Sequence, residues 1–320
     1  PLVSMMNRDM YGVIKWCTPS IHPHVSRING IYDNDISISY HGLGNPSINT
    51  GVFKKAHDLA TIAYKSEHTL FSVNGSSGSN FIVLRSLAHQ LKTVHMLAQR
   101  NVHKSISVAA EDYHIDINYL QPHYDQDLQI FIPNTIEEFV NEIKKYPETN
   151  VVFISNPTYE GLSIDLPRFV QRIRKINPNI IIFVDEAWGS LFPFSDKMPT
   201  SAMQAGADIC VQSTHKQSSG LQQTGMIHWQ GKRINEKFVM DSYKSLITTS
   251  PSFHLLASLD AARFLMQTQG KNIINDLISV ADKLSIELSK ISGVKVIDHD
   301  FITKKYSQVR FTDKTKVLVN

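Results

Sequence analysis

The chain has 320 residues, 42% of them hydrophobic and 19% charged, which allows a large buried core and rules out the composition of a disordered polymer. Its net charge is only +3, and its Lys and Arg are dispersed, with Lys54-Lys55, Lys144-Lys145 and Lys304-Lys305 as short solvated pairs, so no nucleic-acid partner is expected. No apolar run reaches the ~18 residues of a membrane span, and two cysteines, Cys17 and Cys210, build neither a metal site nor a disulfide framework, so the expected compartment is reducing and cytoplasmic.

In chain order, Pro1 to Asn49 is poorly periodic and reads as an N-terminal arm with turns. Its first residues, Pro1 to Arg8, lack a secretory pattern, and an opening proline reads as a trimmed start. Thr50 caps a helix expected to run to about Lys65. Thr69-Leu70-Phe71-Ser72-Val73 is a strand that leads into the small-residue turn Asn74-Gly75-Ser76-Ser77-Gly78-Ser79-Asn80, followed by a helix from Phe81. Such a turn suits an anion, because small residues let backbone amides approach, hydroxyls add donors, and a helix N-terminus favours negative charge. It matches neither the Walker loop nor the dinucleotide glycine pattern.

From Thr69 to about His228 the chain alternates strands with helices. Thr135-Ile136-Glu137-Glu138 has capping-box spacing, and Asp165-Leu166-Pro167 is a cap followed by an early proline. Val151-Val152-Phe153-Ile154, Ile180 to Val184 and Ala207 to Gln212 are short β-branched runs that read as strands buried on both faces. The expectation is an α/β fold with a mostly parallel central sheet flanked by helices. Cys210 falls within one strand and reads as a small core residue. The chain from about Asn235 to Ser289 is expected to be mainly helical.

Two strand ends carry chemistry. Asp185 closes Ile180-Ile181-Ile182-Phe183-Val184-Asp185, and Lys216, 31 positions later, follows Ser213-Thr214-His215. Either residue alone would be an ordinary solvated loop residue. Ligands of open α/β sheets bind beyond the carboxyl ends of the strands, so the two can converge. A lysine amine with a carboxylate is what pyridoxal phosphate requires: the amine holds the aldehyde as an imine, and the carboxylate keeps the pyridine nitrogen protonated so the ring accepts electrons.

Taken in order, Leu43-Gly44-Asn45, Asn74 to Asn80, Arg100-Asn101-Val102-His103-Lys104-Ser105, Asn156-Pro157-Thr158-Tyr159-Glu160-Gly161, Asp185-Glu186-Ala187-Trp188, Ser213-Thr214-His215-Lys216 and Thr248-Thr249-Ser250-Pro251 resemble the large domain of the ornithine/lysine/arginine decarboxylases. These enzymes are pyridoxal-phosphate lyases with the aspartate aminotransferase fold. The resemblance implies that Lys216 forms the imine, Asp185 pairs with the ring nitrogen, and His103 stacks on the ring. It places Ser76, Ser77, Ser213 and His215 at or beside the phosphate, Trp188 beside the cofactor, and Thr248 or Ser250 at the phosphate of a second subunit. A homodimer or an assembly of dimers is therefore expected. Gly78 stands where many relatives carry a hydroxyl, which implies a backbone amide contact there, and Glu186 replaces a small residue of some relatives.

The implied reaction is decarboxylation of an amino acid, with a basic one (lysine, ornithine or arginine) as the expected substrate. Beside Lys216, His215 is a candidate acid or base, or else a neighbour of the phosphate or ring. The same cofactor also serves transamination, aldol cleavage and oxidation, and a non-catalytic or partner-dependent relative is the other class of reading. The expected domains are an arm at 1–49, a cofactor-binding large domain at 50–290, and at 291–320 the start of a C-terminal small domain that is incomplete.

Overall fold

The computed structural model describes residues 44–320. The expected arm up to residue 43, with Cys17 and Leu43, lies outside the described residues.

The helix expected after Thr50 is α1 (Gly51–Tyr64), which stops at Lys65 in a left-handed conformation. Then come β1 (His68–Ser72), α2 (Gly75–Leu91), β2 (His95–Gln99), α3 (Lys104–Asp112) and β3 (Asp116–Leu120). A short hairpin of β4 (His123–Asp125) and β5 (Ile130–Ile132) precedes α4 (Ile136–Lys145) and β6 (Val151–Ser155). The chain continues through β7 (Leu162–Ser163), α5 (Leu166–Ile176), β8 (Ile181–Asp185), β9 (Ile209–Gln212), the single turn α6 (Thr214–Gln217) and β10 (Gly225–Trp229). Last are α7 (Glu236–Leu246), the long α8 (Phe253–Leu288), β11 (Val296–Ile297), α9 (His299–Lys305), β12 (Phe311–Thr312) and β13 (Leu318–Val319).

The caps act as the sequence suggests. Thr135 accepts from the Glu138 amide while the Glu138 carboxylate accepts from the Thr135 amide, a complete capping box. Asp165 accepts from Arg168 N at the start of α5, and Pro167 fills an early position where no N–H is needed.

Seven strands form the main sheet in the order β1-β10-β9-β8-β6-β2-β3. From β9 to β3 every pair is parallel, and β10 runs antiparallel to both neighbours. Alternation along the strands explains why their sequences are continuously apolar. Val151, Phe153, Ile181 and Phe183 face one core with α2 and α7, whereas Val152, Ile154, Ile182 and Val184 face the other with α4 and α5. Both sheet faces are covered, so no polar position is needed inside these strands.

One local expectation is corrected. Gly75 to Asn80 form the first turns of α2 instead of a turn ahead of it. The small side chains allow this early start, because the helix begins against β10: a Cβ on Gly225 would lie 3.0 Å from Gly75 C and 3.2 Å from Ser76 N.

The last thirty residues fold back on the large unit. β12 pairs antiparallel with β7, which follows β6, and β11 pairs with β13. Lys305 donates to Asp125 Oδ2 at 2.6 Å, and the Tyr306 hydroxyl bonds the same oxygen, so α9 is tied to the β4–β5 hairpin.

Candidate active site

The chain leaves β2 toward one edge of the sheet and leaves β6 toward the other, so a crevice opens between their carboxyl ends. A cavity of about 610 Å³ lies there, in the range of small-molecule sites. It is lined by Gln99, Asn101, Val102 and His103 after β2, and by Ser155, Pro157, Thr158, Tyr159 and Glu160 at and after the end of β6. Asp185, Ala187 and Trp188 follow from β8, with Ser76 from α2, Lys216 from α6 and Phe131 from the hairpin.

Asp185 is buried, and each carboxylate oxygen has one donor: Asn80 Nδ2 at 3.2 Å to Oδ2 and Ala187 N at 3.1 Å to Oδ1. Burial raises its pKa from the usual carboxylate value, while Asn80, the Lys216 charge, the Ala187 amide and His103 pull it back. A cation placed before it would find a carboxylate whose charge is otherwise poorly solvated. The Lys216 amine lies 4.5 Å from the centroid of the Trp188 ring, and burial lowers its pKa against the attraction of Asp185. A less basic amine is more often the neutral nucleophile that imine formation needs.

Ser213, the residue before α6, donates through Oγ to Ser76 Oγ at 2.7 Å, with Ser213 fully buried. Two hydroxyls thus meet at the N-terminus of the 17-residue helix α2. That end of a helix carries unpaired amides and positive dipole, so it suits an anion.

The cavity therefore gathers Ser76, His103, Asp185, Trp188 and Lys216 from four separate segments. Other expected residues sit elsewhere. Ser77 is exposed and outside the cavity lining. The Gly78 amide donates to Asn74 O at 3.0 Å, and a Cβ there would lie 2.4 Å from Asn74 Cβ, so close approach of Asn74 explains the glycine. His215 donates through Nδ1 to Thr224 O at 2.8 Å and lies against Gly75. Thr248 and Ser250 are exposed, outside the lining, with Ser250 N donating to Thr248 Oγ1 at 3.2 Å.

Several residues to which the sequence assigns no role lie beside the site. Lys316 lies 4.0 Å from the Trp188 ring centroid, on the same indole that Lys216 approaches, and donates to Tyr159 O. Burial lowers its pKa to about 8, partly offset by Asp313 and Glu160. Asp313 is fully buried and accepts from Gln217 Nε2 at 2.8 Å, which ties the turn carrying Lys316 to the residue after Lys216. Glu186, next to Asp185, is sealed behind the site: it accepts from Ala202 N and Gln212 Nε2, and burial raises its pKa to about 8.

A family described as Orn/Lys/Arg decarboxylase, major domain, matches residues 29–316. The chain belongs to this decarboxylase family. It is 32% identical over 272 residues to an arginine decarboxylase of Bacillus subtilis, an overlap covering 84% of this chain and 54% of that protein. It is 29% identical over 276 residues to the lysine decarboxylase LdcA of Pseudomonas aeruginosa, covering 78% of this chain and 35% of that one. The crystal structure of the Francisella novicida lysine decarboxylase LdcF superposes with a TM-score of 0.71 at 26% identity, covering 82% of this chain and 38% of that chain. The chain thus spans about half the length of the Bacillus relative. The fold is that of the pyridoxal-phosphate enzymes related to the aspartate aminotransferases, and pyridoxal phosphate is the decarboxylase family's cofactor.

The residues present fit that group. An amine, a buried carboxylate and a pair of hydroxyls at a helix N-terminus supply its three polar needs. Asn80 Oδ1, beside Asp185, is a buried acceptor with no partner within the protein.

Proposed function

We propose that this chain carries the cofactor half of an amino acid decarboxylase acting on a basic amino acid: lysine, ornithine or arginine. The observation that carries the proposal is the placement of Lys216 and Asp185 in one cavity with His103 and Trp188. When bound, pyridoxal phosphate supplies an aldehyde that takes up an amine and a protonated ring that draws electrons from the bond to be broken.

The chain's own groups have separable tasks in this reading. Lys216 Nζ would hold the cofactor through its aldehyde, and as an amine in the cavity it could deliver a proton. Asp185 keeps the proton on the ring nitrogen through a charge-assisted bond. His103 would stack against the cofactor and keep water out, and Trp188 walls the cavity beside Lys216. Ser76 and Ser213 receive the phosphate at the start of α2. The Cα–carboxylate bond breaks, CO₂ leaves, and a proton takes its place on the carbon. Glu160 in the cavity lining and Lys316 against the Trp188 ring put charges of both signs in and beside the cavity, suited to a substrate that is itself a zwitterion with a further charge.

The same reading includes residues 50–290 as the large domain and 291–320 as the start of a smaller one, supported by the return of β12 onto β7. It includes a homodimer in which Thr248 or Ser250 reaches a neighbour's phosphate, and a cytoplasmic setting, supported by a free, buried Cys210. Among the described residues, no helix is long and apolar enough to cross a membrane.

Borohydride reduction in the presence of pyridoxal phosphate, followed by peptide mapping, tests the central assignment. The pyridoxyl adduct is expected on Lys216, and labelling of another lysine overturns it. Amine and CO₂ release from a panel of amino acids tests the reaction, with lysine, ornithine and arginine as the expected substrates.

A further inference from the structure

Four hydrogen bonds link Asp185 to His103 through two residues that the proposed chemistry does not use. Asn80 Nδ2 donates to Asp185 Oδ2 at 3.2 Å and to Ser105 Oγ at 2.9 Å. Ser105 Oγ lies 2.8 Å from His103 Nδ1, and Ser105 N donates to the same Nδ1 at 3.2 Å, making His103 the N-cap of α3. Asn80 is fully buried and Ser105 nearly so.

The direction of each bond follows from donor chemistry. A carboxylate only accepts, so the Asn80 nitrogen and not its oxygen faces Asp185. Both hydrogens of Nδ2 are then engaged, one on Asp185 and one on Ser105 Oγ. With Oγ accepting from Asn80, the Ser105 hydroxyl hydrogen is directed to His103 Nδ1. The Ser105 backbone amide, which only donates, requires the same lone pair independently. Nδ1 is therefore an acceptor and the ring proton resides on Nε2.

We infer that Asn80 and Ser105 are positioning residues that lock His103 as the neutral Nε2–H tautomer, with the charge of Asp185 fixing the orientation of the relay. Partial burial opposes a proton on the His103 ring most; of the charged groups that act on it, Asp185 favours the proton, and Lys216 and Lys104 oppose it. The relay decides this contest at Nδ1, because a protonated Nδ1 would collide with the Ser105 amide hydrogen. The consequence rests on the reading of His103 as the ring's stacking partner: a neutral imidazole does not repel the protonated pyridine ring, so Asp185 acts on that ring unopposed.

The test uses the full chain without cofactor, labelled with ¹⁵N-histidine, with His103→Gln to assign the signal. In the wild type, Nδ1 is expected at the shift of an unprotonated nitrogen and Nε2 at that of a protonated one through neutral pH. A proton on Nδ1, or rapid averaging of both nitrogens, overturns the inference with no variant needed. Ser105→Ala should raise the His103 titration midpoint by about one unit, since one hydrogen bond to the neutral form is lost while the backbone amide still holds Nδ1 as the acceptor. Ser105→Thr should restore the wild-type signal. Unchanged spectra in a folded Ser105→Ala protein also overturn it. Because the tautomer is read without cofactor, a failed decarboxylase assay leaves this result standing, and a wrong tautomer leaves the Lys216 adduct test untouched.

Discussion

Asp185 concentrates the proposed chemistry on one charge. Asp185 is buried and both of its oxygens accept a hydrogen bond, so Asp185→Asn preserves size, removes the charge and turns one of the two contacts donor to donor. That variant is expected to retain cofactor and lose on the order of 10²-fold or more in turnover, the scale on which a group stabilising developing charge is felt. Cofactor titration by absorbance together with amine release checks it, and near-normal turnover would contradict the role. Asp185, Lys216 and the serines of α2 were legible because each lies at the end of an apolar run, where a polar residue with a task stands out. Lys316 and Asp313 were not, since 100 residues separate Lys316 from the Lys216 it approaches and only the pairing of β12 with β7 brings them together. Asn80 and Ser105 lay inside motifs already singled out. Asn80 follows Ser76 by one helical turn, so a helix from Gly75 would have placed both on one face.

Elements hold the site through a few close approaches. Gly225 opens β10 against the start of α2, where a Cβ would also lie 2.7 Å from Gln212 O, all backbone contacts that cannot swing aside. Gly225→Ala should displace the Ser76 turn, cost about 1–3 kcal/mol as overpacking, and weaken cofactor binding more than a surface alanine control does. Urea unfolding and absorbance titration read the two effects, and an unchanged midpoint would count against the close approach. On the other side of β1, His57 Nε2 accepts from Phe71 N at 3.1 Å, so Nδ1 carries the proton donated to Asn49 Oδ1 at 2.8 Å. Burial lowers its pKa from 6.5 to about 4, and that of His228 in the sheet to about 3. Both folded values lie below the unfolded one, so the stability is fully present above pH 6.5 and is lost as pH falls toward 4. For His57 the loss is about 3 kcal/mol across that window. The urea midpoint should fall accordingly, and His57→Gln should lower it at neutral pH and flatten part of the slope; an unchanged slope would remove His57 from the account. The long strands were readable from continuous apolar runs, but two-residue strands such as β7 and β12 carry no periodicity and exist only through their partners.

At the scale of the whole molecule, the proposed dimer rests on surfaces that are exposed among the described residues. Val52, Leu59 and Ile62 of α1 are exposed at helical spacing, and Thr248 and Ser250 are exposed beyond α7. Asn74 Nδ2 reaches Leu246 O at 3.4 Å, which also brings the Thr248 segment near the start of its own α2. Two arrangements therefore compete, one in which Thr248 and Ser250 serve a neighbour's phosphate and one in which they serve their own. A two-fold interface would create two equivalent shared sites, and complementation separates the cases. Mix Lys216→Ala subunits with subunits carrying Thr248→Ala and Ser250→Ala. With shared sites, one site of each mixed dimer collects both defects and the other is free of both, so activity should partly recover above either parent. With unshared sites every mixed site keeps one defect, because Lys216 and the two hydroxyls of each site come from the same chain. Absence of recovery in dimers confirmed as mixed would assign Thr248 and Ser250 to their own subunit and remove the reason for expecting a shared site.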